Sequence, residues 1–144
     1  MFEITSQPIV REELVKRFLT TEIGALVTFE GLVRNKNHEK RVQSLEYEVF
    51  ESLARQEGNR IIGEARERFA IHQAFGIHRQ GHLQLSDLAV CILATAVHRG
   101  PAFQACEYII NQIKTRLPIW KKEYYSYGKA LWVNCQDHQD DQGT

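Results

Sequence analysis

The chain has little with which to build a disulfide framework or a zinc knuckle. Its three cysteines, Cys91, Cys106 and Cys135, are odd in number and include no Cys-x-x-Cys pair. The cytoplasm, where thiols stay reduced, is the simplest setting for such a set. Net charge is absent as well. Eighteen Lys and Arg balance eighteen Asp and Glu, and the pI is near 7.0. A general nucleic-acid-binding surface would make the domain strongly basic, and basic residues interleaved with aromatics are also missing, so no nucleic-acid partner is expected. No apolar run approaches the roughly 20 residues that cross a bilayer. The start, Met-Phe-Glu-Ile-Thr-Ser, has neither the basic head nor the apolar core of a signal peptide, so no membrane partner is expected either. There is no internal repeat and no linker-like stretch.

What is present suits one globular domain. Hydrophobic residues make up 43% of the 144 and charged residues 25%, enough for a core of its own. Residues 2–9 read as a short strand and Val10 to Phe18 as a short helix. Gly24 to Arg34 reads as a buried strand, with Gly31 marking a bulge or a close backbone approach. Asn35 to Arg41 has no hydrophobic residue and reads as a mobile polar loop. Val42 to Phe50 alternates like a strand with one irregularity. From Ser52 to Phe69 the spacing predicts a helix that Gly58 and Gly63 weaken unless packing needs a small residue there. Residues 71–78 and 82–85 read as two strands joined near Gly81, and Asp87 opens a turn before Leu88 to Val97, the most apolar strand. A helix opens at Pro101 and is stopped by Pro118. Ile119 to Tyr127, a turn at Gly128 and Leu131 to Asn134 complete the sheet structure. The expected architecture is α+β, a single domain over residues 1–134, followed by a polar, acidic tail at 135–144 that reads as disordered.

Positive charge is concentrated in one place. Between Lys114 and Lys129 the only acid is Glu123, while Lys114, Arg116, Lys121 and Lys122 crowd around Pro118. Such a cluster on a neutral chain points to a local anionic ligand rather than a long polyanion. His98 and Arg99 precede a helix start, where unpaired N–H groups and the helix dipole can hold a phosphate. Two readings of them stand: a phosphate site, or a surface arginine beside a satisfied strand-end histidine. Lys114 and Lys121 are seven residues apart, but Pro118 breaks the helix between them, so spacing does not place them together. Lys114 is either a cation favoured by the helix C-terminus or one of two ammonium groups sharing a pocket, each lowering the other's pKa for nucleophilic or base chemistry. Arg34 is either an exposed strand-end residue or an anion clamp at a loop. His78 and His82 flank a turn without a third ligand, so no metal site is expected.

Read together, these segments resemble the large, catalytic subunit of molybdopterin synthase over nearly the whole chain up to about Val133. The resemblance rests on Gly24-Ala25, Phe29-x-Gly-x-Val-Arg34, Leu45-Glu-Tyr-Glu48, His78-Arg79-x-Gly81, His98-Arg99 with Ala102-Phe103, and Lys114-x-x-x-Pro-Ile-Trp-Lys-Lys-Glu123. The last is the most specific. The resemblance implies an α/β-hammerhead-like fold with additional antiparallel β structure. It also implies an enzyme that inserts two dithiolene sulfurs into cyclic pyranopterin monophosphate (precursor Z) during molybdenum cofactor biosynthesis. Each sulfur would arrive as a thiocarboxylate on the C-terminus of a small ubiquitin-like carrier subunit, and two large subunits would form a central homodimer within a heterotetramer. Lys114 and Lys121 would be the catalytic pair, with Arg34, His98 and Arg99 binding the substrate phosphate, Arg34 from the same chain or across the dimer. The sulfur comes with the partner, so neither cofactor nor metal is expected. Three places depart from the family pattern: the Asn35–Arg41 segment lacks a glycine, Ser86 stands where glycine is expected, and Asn111 where aspartate is expected. A non-catalytic anion-binding scaffold on the same fold is the alternative. It would bind a phosphate ligand without turnover.

Overall fold

A computed structural model of the chain describes residues 1–38, 40–126 and 130–135. The expected turn at Gly128 and residues 136–144 of the tail lie outside the described residues. The described residues form three helices and nine strands. The order is β1 (Phe2–Thr5), α1 (Arg11–Phe18), β2 (Ala25–Leu32), β3 (Lys36–Asn37), β4 (Lys40–Val49), α2 (Glu51–Arg68), β5 (Gln73–Arg79), β6 (Gly81–Gln84), β7 (Leu88–Ala96), α3 (Arg99–Arg116), β8 (Ile119–Tyr125) and β9 (Leu131–Asn134). The α+β expectation holds, in one domain.

The first sheet has the order β1-β5-β7-β2. Its β1–β5 pair is parallel and its other pairs are antiparallel. The unbroken apolar run of β7 is explained by burial on both faces. Ile92 and Ala94 pack with Ile61 and Ile62 of α2 and with Ile109 and Ile113 of α3, whereas Cys91 packs with Leu14 of α1, Phe75 and Ile77. Fully burying each such aliphatic side chain contributes about 1.5–3 kcal/mol. The helix glycines separate cleanly. A Cβ on Gly58 would stand 2.3 Å from a Phe2 ring carbon, so packing does require the small residue, while one on Gly63 would meet nothing within 4 Å.

The second sheet is built on β4. It pairs with β8 over residues 42–49, with β6 over Ser44–Tyr47 and with β3 over Lys40 and Arg41. Its predicted irregularity is a register shift between Val42 and Ser44. The other predicted bulge falls between Gly31 and Leu32, where a Gly31 Cβ would lie 2.6 Å from Val90 Cγ1. Ser86 has φ 70°, a left-handed conformation that glycine adopts more easily. That geometry accounts for the glycine expected there. Asp87 compensates by accepting the Gln84 N–H on its carboxylate at 2.9 Å.

One element differs from the sequence reading. Where a loop was expected, Lys36 and Asn37 pair with Arg41 and Lys40 as two short antiparallel strands, with His38 at φ 49°. These residues are all polar, so they carried no alternation by which a strand could be read.

Candidate active site

Where the two sheets meet the end of α3 there is a cavity of about 590 Å³, a size that suits a small organic ligand. Lys114 reaches it from the last turn of α3, where the helix dipole favours a cation. Leu117 then turns to extended geometry, its N–H still donating to Ile113 O at 3.1 Å. The Pro118 break sends the chain back as β8. Along β8 the two-residue period puts Lys121, Glu123 and Tyr125 on the same side, and all three line the cavity. Arg34 follows the β2 bulge and stands exposed at the cavity wall. The structure thus brings Arg34, Lys114 and Lys121 together.

It does not bring His98 and Arg99 to them. Both are exposed at the opposite end of α3, and neither lines the cavity. Fifteen residues of helix separate Arg99 from Lys114, and at about 1.5 Å of rise each this is roughly 22 Å. Within one chain, the expected single anion site is therefore divided into two.

Glu123 was visible in the sequence as an isolated acid but received no role. Only 2% exposed, it is the hub of the cavity floor. Asn37 Nδ2 donates to its two oxygens at 2.8 and 3.0 Å, and the Tyr125 hydroxyl donates to Oε1 at 3.1 Å. Lys121 Nζ lies 3.9 Å from Oε2, at the edge of ion-pair range, so its ammonium is held nearby while remaining able to meet a ligand. Lys114 makes no ion pair among the described residues. The carboxylate in turn pushes the Tyr125 hydroxyl pKa up, with burial the larger cause. The period of β8 could have singled out Glu123; nothing in the sequence pointed to Asn37.

His78 and Tyr47 complete the wall. His78 is buried, its ring edge-on to Tyr47 with centroids 4.9 Å apart. Its Nδ1 lies 2.7 Å from the Arg79 carbonyl oxygen, which can only accept, so Nδ1 carries the hydrogen. Burial, aided by the positive charge of Lys114, pulls its pKa down to about 4 against the opposing hydrogen bond. The ring is neutral at physiological pH. Burial also raises the Tyr47 pKa, with Cys135 and Glu123 adding to the effect. His82 stands apart on β6 against Tyr124, and among the described residues no three His, Cys, Asp or Glu side chains are grouped to hold a metal. Cys91 and Cys106 are buried thiols pushed up to about 11, chiefly by desolvation. Among the described residues no helix is long and apolar enough to cross a membrane.

The same arrangement has known relatives. A family model described as MoaE protein matches residues 4–116. The chain belongs to the MoaE family. A molybdopterin synthase catalytic subunit from Thermoplasma volcanium is 39% identical over 130 residues, 90% of this chain and 95% of that protein. One from Bacillus subtilis is 40% identical over 135 residues, 94% of this chain and 85% of that protein. The crystal structure of molybdopterin synthase from Staphylococcus aureus superposes with a TM-score of 0.86 at 36% identity, covering 92% of this chain and 96% of that one. The resemblance read from the sequence holds, and with it the reading of this MoaE chain as an enzyme of molybdenum cofactor biosynthesis.

Proposed function

We propose that this chain is the sulfur-inserting subunit of molybdopterin synthase, acting on cyclic pyranopterin monophosphate with a thiocarboxylated ubiquitin-like carrier as sulfur donor. The observation that carries the reading is the convergence of Lys114, Lys121 and Arg34 on one ligand-sized cavity in a MoaE-family fold. Both reactants are anions, and three cations lining one cavity would bind them and offset charge that develops during transfer. In this reading Lys121, steadied by Glu123, meets the carrier's C-terminal thiocarboxylate. Lys114 acts on the pterin side as acid, base or electrostatic anchor. The thiocarboxylate sulfur bonds to an oxygen-bearing side-chain carbon of the pterin and displaces that oxygen. The oxygen leaves as water or, where it bridges to the phosphate, stays on the phosphate; Lys114 as acid would supply its proton. Water then cleaves the acyl–sulfur bond, so the sulfur stays on the pterin and the carrier leaves as a carboxylate. No redox step and no thiol of this chain is needed, in keeping with the raised pKa of the two buried thiols.

His98 and Arg99 enter through a second copy. They are exposed and far from their own chain's cavity, so a homodimer that lays the start of α3 beside the partner's cavity would unite them with Arg34 there. Such an arrangement supplies the phosphate site that one chain divides. In this reading the reaction runs in the cytoplasm, where thiols and thiocarboxylates stay reduced. Intact-mass spectrometry of the carrier tests the proposal. Its thiocarboxylate should convert to a carboxylate only when this chain and the pterin are both present. Conversion at the same rate without the pterin, or none despite binding of both, would count against it and favour a scaffold.

A further inference from the structure

Most polar groups lining the cavity donate hydrogen bonds. Lys114, Lys121 and Arg34 bring hydrogens and positive charge, while the oxygens of Glu123 are already engaged by Asn37 and Tyr125. Glu30 Oε2 is engaged by Arg11 and Thr28, and His38 is exposed, so one buried nitrogen differs. His78 closes the helix-facing side of β5, two residues beyond Gly76, and is only 7% exposed, yet it lines the cavity. Its Nδ1 is committed to the Arg79 carbonyl, and Nε2 makes no hydrogen bond among the described residues. The edge-on contact with Tyr47 fixes the plane of the ring. In the neutral ring Nε2 is an acceptor only, and the nearby charge of Lys114 disfavours protonation. A second cation would be repelled by Lys114, so the group that suits Nε2 is a neutral N–H.

We propose that His78 is a specificity-determining residue whose Nε2 accepts a hydrogen bond from a ring N–H of a flat, neutral nitrogen heterocycle held in this cavity. The inference rests on the proposed function, where the heterocycle is the pterin, and adds what distinguishes that ring from any other phosphate ester. The cations read the anionic end of the ligand and His78 reads its ring. A buried acceptor left unpaired disfavours analogues that lack the N–H, and so discriminates more strongly than an apolar wall would.

The test is calorimetric binding of cyclic pyranopterin monophosphate, with inorganic phosphate as control, to wild type, His78→Asn and His78→Gln. Asn keeps a donor for the Arg79 carbonyl but has no acceptor where Nε2 stood; Gln can place its amide oxygen there. His78→Asn should weaken pterin binding about ten-fold or more and leave phosphate binding unchanged, and His78→Gln should recover most of the loss. In 15N spectra of the wild type, the unprotonated Nε2 resonance should move when the pterin saturates the site, a readout that stands even where a variant fails to fold. Wild-type affinity in His78→Asn, or an Nε2 resonance unmoved at saturation, overturns the inference alone. A wild type that does not bind the pterin overturns the proposed function and this inference with it.

Discussion

Removing the Glu123 carboxyl group should damage the cavity from its floor. In Glu123→Ala, Asn37 Nδ2 and the Tyr125 hydroxyl both lose the acceptor they now meet at 2.8–3.1 Å. Hydrogen bonds to a charged group contribute about 1.5–3 kcal/mol each. Both donors are only half-buried, so water can replace part of the loss, and the expected cost is about 3 kcal/mol. For a domain of this size that corresponds to a fall in Tm of roughly 10 °C. The Asn37 bond also ties β3 to β8 through a side chain, so Asn37→Ala should cost about 1–2 kcal/mol. The pair must then be non-additive. Asn37→Ala added to Glu123→Ala should destabilise little further, because its partner is already gone. Denaturant unfolding of the four proteins closes this cycle. Sulfur transfer, measured well below each Tm, should fall in Glu123→Ala by more than the unfolded fraction explains, since Lys121 loses its neighbouring counter-charge. Additive single effects, or a Glu123→Ala protein as stable and active as wild type, would refute the argument.

Three further outcomes follow from other parts of the molecule. If His98 and Arg99 serve the partner's cavity, Arg99→Ala and Lys121→Ala proteins should each be inactive alone. Mixed dimers should recover up to about a quarter of wild-type turnover, since random pairing makes half the dimers mixed, each with one intact site; no recovery after verified exchange would place both groups in one chain's site. Arg116 of α3 holds Glu57 and Glu64 of α2, and its hydrogen bond is the main cause pulling the Glu64 pKa from 4.5 to about 2. A carboxylate with a depressed folded-state pKa contributes stability that is full above its unfolded pKa and lost as pH falls through the folded one. Tm should therefore drop between about pH 4.5 and 2, and Arg116→Ala should lower Tm at neutral pH and flatten that acid limb. Finally, Gly63→Ala should stabilise α2 by about 0.5–1 kcal/mol, whereas Gly58→Ala, which drives a methyl into the Phe2 ring, should cost about 1–3 kcal/mol net; equal effects at the two sites would contradict the packing.

Much of this was legible in the residues because local chemistry and tertiary structure agree. The spacing of Ala102, Phe103, Cys106, Ile109, Ile110, Ile113 and Leu117 marked the buried face of α3 at every position but Phe103, which is exposed. The residues of β7 read as the most apolar strand, which the structure explains by cover on both faces. Gly31 signalled a bulge, and a bulge is there. The meeting of Lys114 with Lys121 was not readable from spacing, since Pro118 destroys any helical phase between them; the reversal of β8 brings them together, and motif resemblance foresaw it where periodicity could not. The separation of His98 and Arg99 from Arg34 was hidden for a related reason. Residue types suggest what binds an anion, whereas helix length decides which of them one chain can gather. Asn37 and Glu123, eighty-six positions apart, illustrate the remaining gap: their contact exists only once β3, β4 and β8 are stacked in register.

The central claim, sulfur insertion at a cavity run by two lysines, is tested most directly by mixing purified protein, thiocarboxylated carrier and cyclic pyranopterin monophosphate and measuring the dithiolene product as its fluorescent oxidised derivative. The account predicts product that requires all three components, and that is lost in Lys114→Ala and in Lys121→Ala while both variants keep the wild-type fold and Tm within a few degrees. Wild-type turnover by either folded variant, or no product from wild type despite binding of both reactants, would contradict it.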